Sequence, residues 1–401
     1  MSDHAVRALA LSAIVSLSGT ALGQMHVTNT DDGPVAGPGH LPGSLRQAIY
    51  DANAAPGMNT ITFDPSLNGL SITLSAGELS VTDSVEVVGP GADLLAISGA
   101  SASRVFNCNG TGTKTYSFSG LTVRAGRVSG AGTRGGAAFL MPVNAQQTLE
   151  LDRVVLLNNR TSSDKFGSSI YSVFAPVRLT NCSVVNSGGG KGGIYSASGD
   201  VDIVNTTFSG STDLVASVWV RSTLADAYLE ITHSTFVDGD AAAVRIGSYY
   251  GNTRAFLTYG STIFSGNDGS VRIGDQVGLV KTDTYGYNLA DDFPEGVISS
   301  ADILNTDAQL GALWLVDGVY VHAPTAQSPA VDRGHPRYIG GIGNVPPTDQ
   351  RGKPRVNNER IDIGAFETSV RPTPSIDFDQ NGVVNISDLF AFITAFTANG
   401  G

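Results

Sequence analysis

FSGLTVRAG (118–126), LDRVVLLNN (151–159), LTNCSVVNS (179–187), IVNTTFSGS (203–211) and ITHSTFVDG (231–239) are copies of one phrase, and TYGSTIFSG (258–266) is a looser sixth. In each copy one residue on a strand face (Phe118, Leu151, Leu179, Ile203, Ile231, Thr258) is followed five positions later by an apolar one: Val123, Leu156, Val184, Phe208, Phe236, Ile263. Successive starts lie 33, 28, 24, 28 and 27 residues apart. The apolar spacing has period two, β-branched and aromatic residues dominate, and Gly, Ser, Asn and Asp break the runs, which argues for strands and against a helical repeat. A unit of this length cannot bury its apolar face alone, so the copies must stack. The expected fold is all-β: a right-handed, single-stranded parallel β-helix, each coil adding about 4.8 Å because neighbouring strands are hydrogen-bonded.

A solenoid grows along one axis, so the 401 residues need not divide into several globular domains. Forty-nine glycines and a charged fraction of 15% suit a turn-rich β protein. The formal charge of −12 is spread along the chain with no basic run to neutralise phosphates, which argues against nucleic acid as a partner. Residues 1–23 read as an export signal: Arg7 precedes an apolar segment from Ala8 to Leu17, and Ala21 and Gly23 precede a cut before Gln24. That apolar segment is too short to span a bilayer, and no other stretch is long enough, so no transmembrane segment is expected. The two cysteines, Cys108 and Cys182, fall in different coils and are read as free, buried thiols.

Residues 24–83 are assigned to an N-terminal cap and the first coils. Within them Gly43 to Ala54 reads as an amphipathic helix, with Ser44 as N-cap, Leu45, Ala48, Ile49 and Ala52 on one face, and Pro56-Gly57 as the stop. A first coil has open backbone edges, and this helix is placed to cover them. GSLRQAIYDANAAPGMNTITFDPSL resembles the N-terminal segment of bacterial extracellular β-helix proteins with a CSLREA-type motif, except that Gly43 stands where those carry Cys. Residues 84–300 hold the repeats. Asn181 and Asn205 occupy one place in their phrases, as Arg153 and His233 do in others, and stacked Asn side chains are expected to satisfy one another along the axis.

From 301 to 368 the repeat is lost. SPAVDRGHP at Ser328 and TDQRGKPRVNNERIDIGAFE at Thr348 resemble the closing segment of choice-of-anchor Q β-helix proteins, a resemblance that implies a pectin-lyase-like solenoid followed by an attachment signal. Asp332, Asp349, Arg351, Arg355, Asp362 and Glu367 hold the charged positions of that pattern, and are expected to pair with one another and with backbone donors to close the last coil. A Pro-containing linker, 369–375, leads to a module at 376–401.

That module contains DFDQNGVVNISD. Asp377, Asp379, Asn381, Asn385 and Asp388 supply side-chain oxygens at positions 1, 3, 5, 9 and 12 of a calcium loop, Val383 offers its carbonyl, and Gly382 allows the sharp turn. Calcium is the expected cofactor. Aspartate at the twelfth position followed by a helix resembles a dockerin half, and more closely the single-repeat GC-type dockerin of exported bacterial proteins. That resemblance implies a cohesin-like or cell-surface receptor as partner. Leu389, Phe390, Phe392, Ile393 and Phe396 would give the helix a broad apolar face that should dock on something.

Two glycine-rich runs carry no phosphate site. Gly130, Gly132 and Gly135 lack a preceding strand and following helix, and in GGGKGG Lys191 is followed by Gly192. For catalysis, paired acids must recur on neighbouring coils. Asp238, Asp240 and Asp268, with Arg245 and Arg272, are the best cluster, and they are spaced so that they can share one lateral face. The paired-Asp, GHG and RxK signatures of polygalacturonase-like enzymes are missing. The expected role is therefore that of an exported, anchored scaffold with a structural, surface or carbohydrate-adhesive function; the alternative is a polysaccharide lyase or glycoside hydrolase acting on acidic glycans.

Overall fold

The computed structural model describes residues 24–35, 37–130, 134–141, 143–144, 146–212, 215–276, 278–335, 345–355, 360–369 and 385–398. Parallel strands form three sheets of ten, nine and eight strands among these residues, and the chain visits them in rotation, giving a parallel β-solenoid of eight complete coils. One coil runs from Gln147–Asp152 in the first sheet to Val155–Leu157 in the second and Ile170–Val173 in the third. The next begins at Val177–Thr180, directly beside Gln147–Asp152.

The repeated phrase spans a corner and not a single strand. Phe118, Leu151, Leu179, Ile203 and Ile231 form one inward row of the first sheet. Val123, Leu156, Val184, Phe208 and Phe236 form an inward row of the second. Between the rows a residue in left-handed conformation turns the chain: Arg153 (φ 51°), Asn181 (56°), Asn205 (50°), His233 (49°) and Ser261 (51°). Asparagine enters that region at low cost, which accounts for its recurrence at this bend. The asparagines also stack as expected: Asn205 Nδ2 donates to Asn181 Oδ1 at 3.0 Å, and Asn181 Nδ2 to Asp152 Oδ1 at 3.0 Å.

The sixth copy is out by one residue in the sequence reading. Ile231 pairs with Tyr259 and Phe236 with Phe264, so Thr258 and Ile263 are outward-facing neighbours of the true core residues. An alternating strand looks the same in either phase, and only the partner coil decides which phase faces the central core. Inside, Phe208 and Phe236 stack at 4.5 Å and Phe236 and Phe264 at 5.4 Å. One continuous core runs from Val27 to Ala290.

At the N-terminal end α1 (Leu45–Ala54) is capped by Ser44, whose hydroxyl accepts from Gln47 N at 3.1 Å. Leu45, Ala48, Ile49 and Ala52 enter the same core as Val27, Ile61 and Leu79. Gly43 has φ 77°, and a Cβ there would come within 2.2 Å of Thr28 Oγ1, so a side chain at this position would force the neighbouring loop to move.

The described residues of 301–368 do more than end the last coil: they run back along the outer face of the second sheet. That face presents Thr122, Val155, Ser183, Thr207, Thr235 and Ile263 in one row, all buried. Gln350 Nε2 donates to Cys182 O (2.7 Å) and Ser183 Oγ (3.0 Å), and its Oε1 accepts from Thr207 Oγ1 at 2.6 Å. Tyr320 N donates to Ser183 Oγ at 2.9 Å, and Ala365 N to Thr235 Oγ1 at 2.9 Å. The strap's charged residues do pair with each other and with backbone. Arg351 contacts Asp349 at 2.7 Å, Asp349 accepts from Glu367 N at 3.0 Å, and Glu367 accepts from Asp362 N at 2.9 Å. Cys108 and Cys182 are free and buried, as expected.

Candidate functional site

The outward row of the third sheet reads Tyr171, Tyr195, Trp219, Arg245, Arg272 on successive coils. Tyr195, Trp219 and the half-buried Phe166 pack together outside the main core. Arg221 lies between 5.0 and 5.6 Å from the rings of Phe166, Tyr195, Trp219 and Tyr249, and Arg245 lies 5.2 Å from that of Trp219.

Where the aromatic part of the row gives way to arginine, a cleft of about 320 Å³ opens, lined by Val215, Asp240, Ala241, Ala242, Arg245, Asp268, Arg272, Ile273 and Glu295. Four of the five lateral residues singled out from the sequence therefore meet. Asp240 and Asp268 sit on the turns leading into Ala242–Ser248 and Val271–Gln276, exposed, while Arg245 and Arg272 are directly paired and partly buried. Asp238 does not join them. It is the left-handed corner residue (φ 54°) after Thr235–Val237, and its exposed carboxylate stands over Gly266.

Glu295 was not foreseen. It follows the last full coil, where its Oε1 lies 3.4 Å from Arg272 Nη1 and its Oε2 accepts from Ile273 N at 2.8 Å. Asp291 and Asp292 act similarly, accepting from Gly266 N at 2.5 Å and Ser270 N at 3.0 Å. Carboxylates thus occupy N–H groups that the final coil would otherwise leave open. The run DDFPEG (291–296), placed straight after the repeats, was the available signal.

A second hollow, about 230 Å³, lies between Leu70 and Leu95 of the second sheet and Leu315 and Tyr320 of the strap, with Asp93 and Arg124 among its lining residues.

Of the expected calcium ligands, Asp377, Asp379, Asn381 and Val383 lie outside the described residues. Asn385 and Asp388 are at the start of α2 (Ile386–Ala398). Asp388 Oδ2 accepts from Asn385 N at 2.7 Å and Asn385 Oδ1 from Ser387 N at 2.7 Å, a reciprocal cap on the helix. Both remain hard oxygen donors of the kind calcium takes. Among the described residues no three His, Cys, Asp or Glu side chains are grouped to hold a metal, and no helix is long and apolar enough to cross a membrane. Ile386, Leu389, Phe390 and Ile393 of α2 are exposed.

The fold and cleft together define a parallel β-solenoid with a polar cleft on its third sheet. No family model, curated protein or solved structure matches the chain.

Proposed function

We propose that this chain is an exported, carbohydrate-adhesive β-solenoid, held in place through the calcium-binding, dockerin-like module at 376–401 and its cohesin-like or cell-surface receptor. The observation that carries the adhesive part is the cleft in which Asp240, Arg245, Asp268 and Arg272 converge from consecutive coils beside a bed of aromatic rings. Sugars offer hydroxyl groups that pair with such side chains, and a cleft assembled from coil to coil suits a ligand that extends along the axis. The right-handed coil sense and the choice-of-anchor Q kinship belong to the same reading.

The presence of two carboxylates from neighbouring coils next to arginine favours one competing reading, a lyase or hydrolase acting on acidic glycans. One experiment addresses both. Affinity electrophoresis of the full chain through gels containing neutral and acidic polysaccharides is expected to show retardation in at least one gel, reduced in Asp268→Ala, with no reducing ends or unsaturated products released. Free mobility in every gel would overturn the adhesive reading. Turnover lost in Asp240→Ala or Asp268→Ala would replace it with the enzymatic one.

A further inference from the structure

Arg245 and Arg272 are paired residues of neighbouring coils, so their side chains leave the sheet about 4.8 Å apart. Like charges at that spacing repel. Each guanidinium nevertheless lies against backbone that has no side chain of its own: a Cβ on Gly274 would come within 2.3 Å of Arg245 Nη2, and one on Gly269 within 2.6 Å of Arg272 Nε. Those glycines leave the space that the two groups fill.

Arg272 has Glu295 at 3.4 Å. Arg245 has no carboxylate within ion-pair distance among the described residues, and its Nε is buried without an acceptor. Directly beneath it in the row, the indole N–H of Trp219 is also buried without an acceptor. In a chain of charge −12 carboxylates are plentiful, and Asp240 and Asp268 line the same cleft, yet among the described residues none lies within ion-pair distance of this cation. Arg245 lines the cleft and Trp219 packs against it, and leaving such donors unmade is costly.

We infer that Arg245 is the specificity-determining residue of the cleft and takes the carboxylate of an acidic sugar, with Arg272 adding positive charge one coil along. The planar guanidinium fork matches a carboxylate in two parallel hydrogen bonds. This rests on the glycan reading above and narrows it to uronate-containing polysaccharides.

Calorimetric titration of the full chain with polygalacturonate, alginate and hyaluronate tests it, with methyl-esterified polygalacturonate and dextran sulfate as comparison polymers. At least one uronate polymer is expected to bind about tenfold or more tightly than the esterified polymer. Arg245→Gln is expected to remove that difference, and Arg245→Lys to restore only part of it. An unchanged thermal midpoint shows that a variant is folded, and Arg272→Gln serves if Arg245→Gln is not. Equal binding of free and esterified polymer, unchanged in Arg245→Gln, overturns the carboxylate assignment while leaving glycan adhesion standing. Equal binding of dextran sulfate overturns it in favour of polyanions in general. Binding by none of these polymers, nor by neutral glycans, overturns both.

Discussion

Asp362, a residue of the strap itself, is fully buried, accepting from Asp332 N at 2.8 Å and Thr368 N at 2.6 Å. Burial pushes its pKa up to about 7, against the lowering effect of those hydrogen bonds and of Arg355. In the unfolded chain the group titrates near about 4. Between these values the folded protein keeps a proton that the unfolded chain has released, so stability from this group is full below about pH 4, falls as pH rises to about 7, and is flat above. Urea midpoints at pH 5 and pH 8 are expected to fall more in the wild type than in Asp362→Asn, and an equal fall in both sinks the assignment. His233 works with the opposite sign. It is buried next to Arg355, neither ring nitrogen has a partner among the described residues, and burial holds its pKa well below the usual range. Its contribution is therefore lost as pH drops below about 6.5. At this scale much was legible: the Asn stack, the free thiols and four of the five lateral residues that line the cleft came from repeat spacing and residue type. Thr207 and Thr235 were not recognised as docking points, because a threonine facing a distant strap and one facing water leave the same period-two pattern.

The strands and α1 were legible as elements because each satisfies a local rule: alternation for the strands, an N-cap and a helical stripe for the helix. The strap was not, since its course is set by contacts such as Gln350 to Cys182, far apart in sequence, which no local pattern encodes. α2 is the element whose role is most open to direct measurement. Calcium titrated into the full chain is expected to give a binding heat near one equivalent that Asp377→Ala abolishes, because that residue is the first ligand of the loop reading. A titration with no heat in the wild type would remove the calcium proposal and leave Asn385 and Asp388 as a helix cap alone.

At the scale of the molecule the core is one stack and not a series of separate modules. Removing Phe236, which touches Phe208 below and Phe264 above, is expected to cost about 3–5 kcal/mol as Phe236→Ala. Phe256 stacks on Tyr228 at 4.6 Å on the outer face of the first sheet, and Phe256→Ala is expected to cost about 1 kcal/mol. Denaturant midpoints that fail to separate the two variants would show that the stack does not act as the core.

The strap delivers the chain to Thr368 on the flank of the second sheet, after Gly364 N has bonded to Ser261 O at 2.9 Å and Ala365 N to Thr235 Oγ1. Tension applied beyond that point therefore meets the rod from the side. It loads the strap's hydrogen bonds to the coils before any ladder between coils, so under a pulling force the strap is expected to peel first and the stacked strands to stay intact, as a seam that gives way ahead of the cloth.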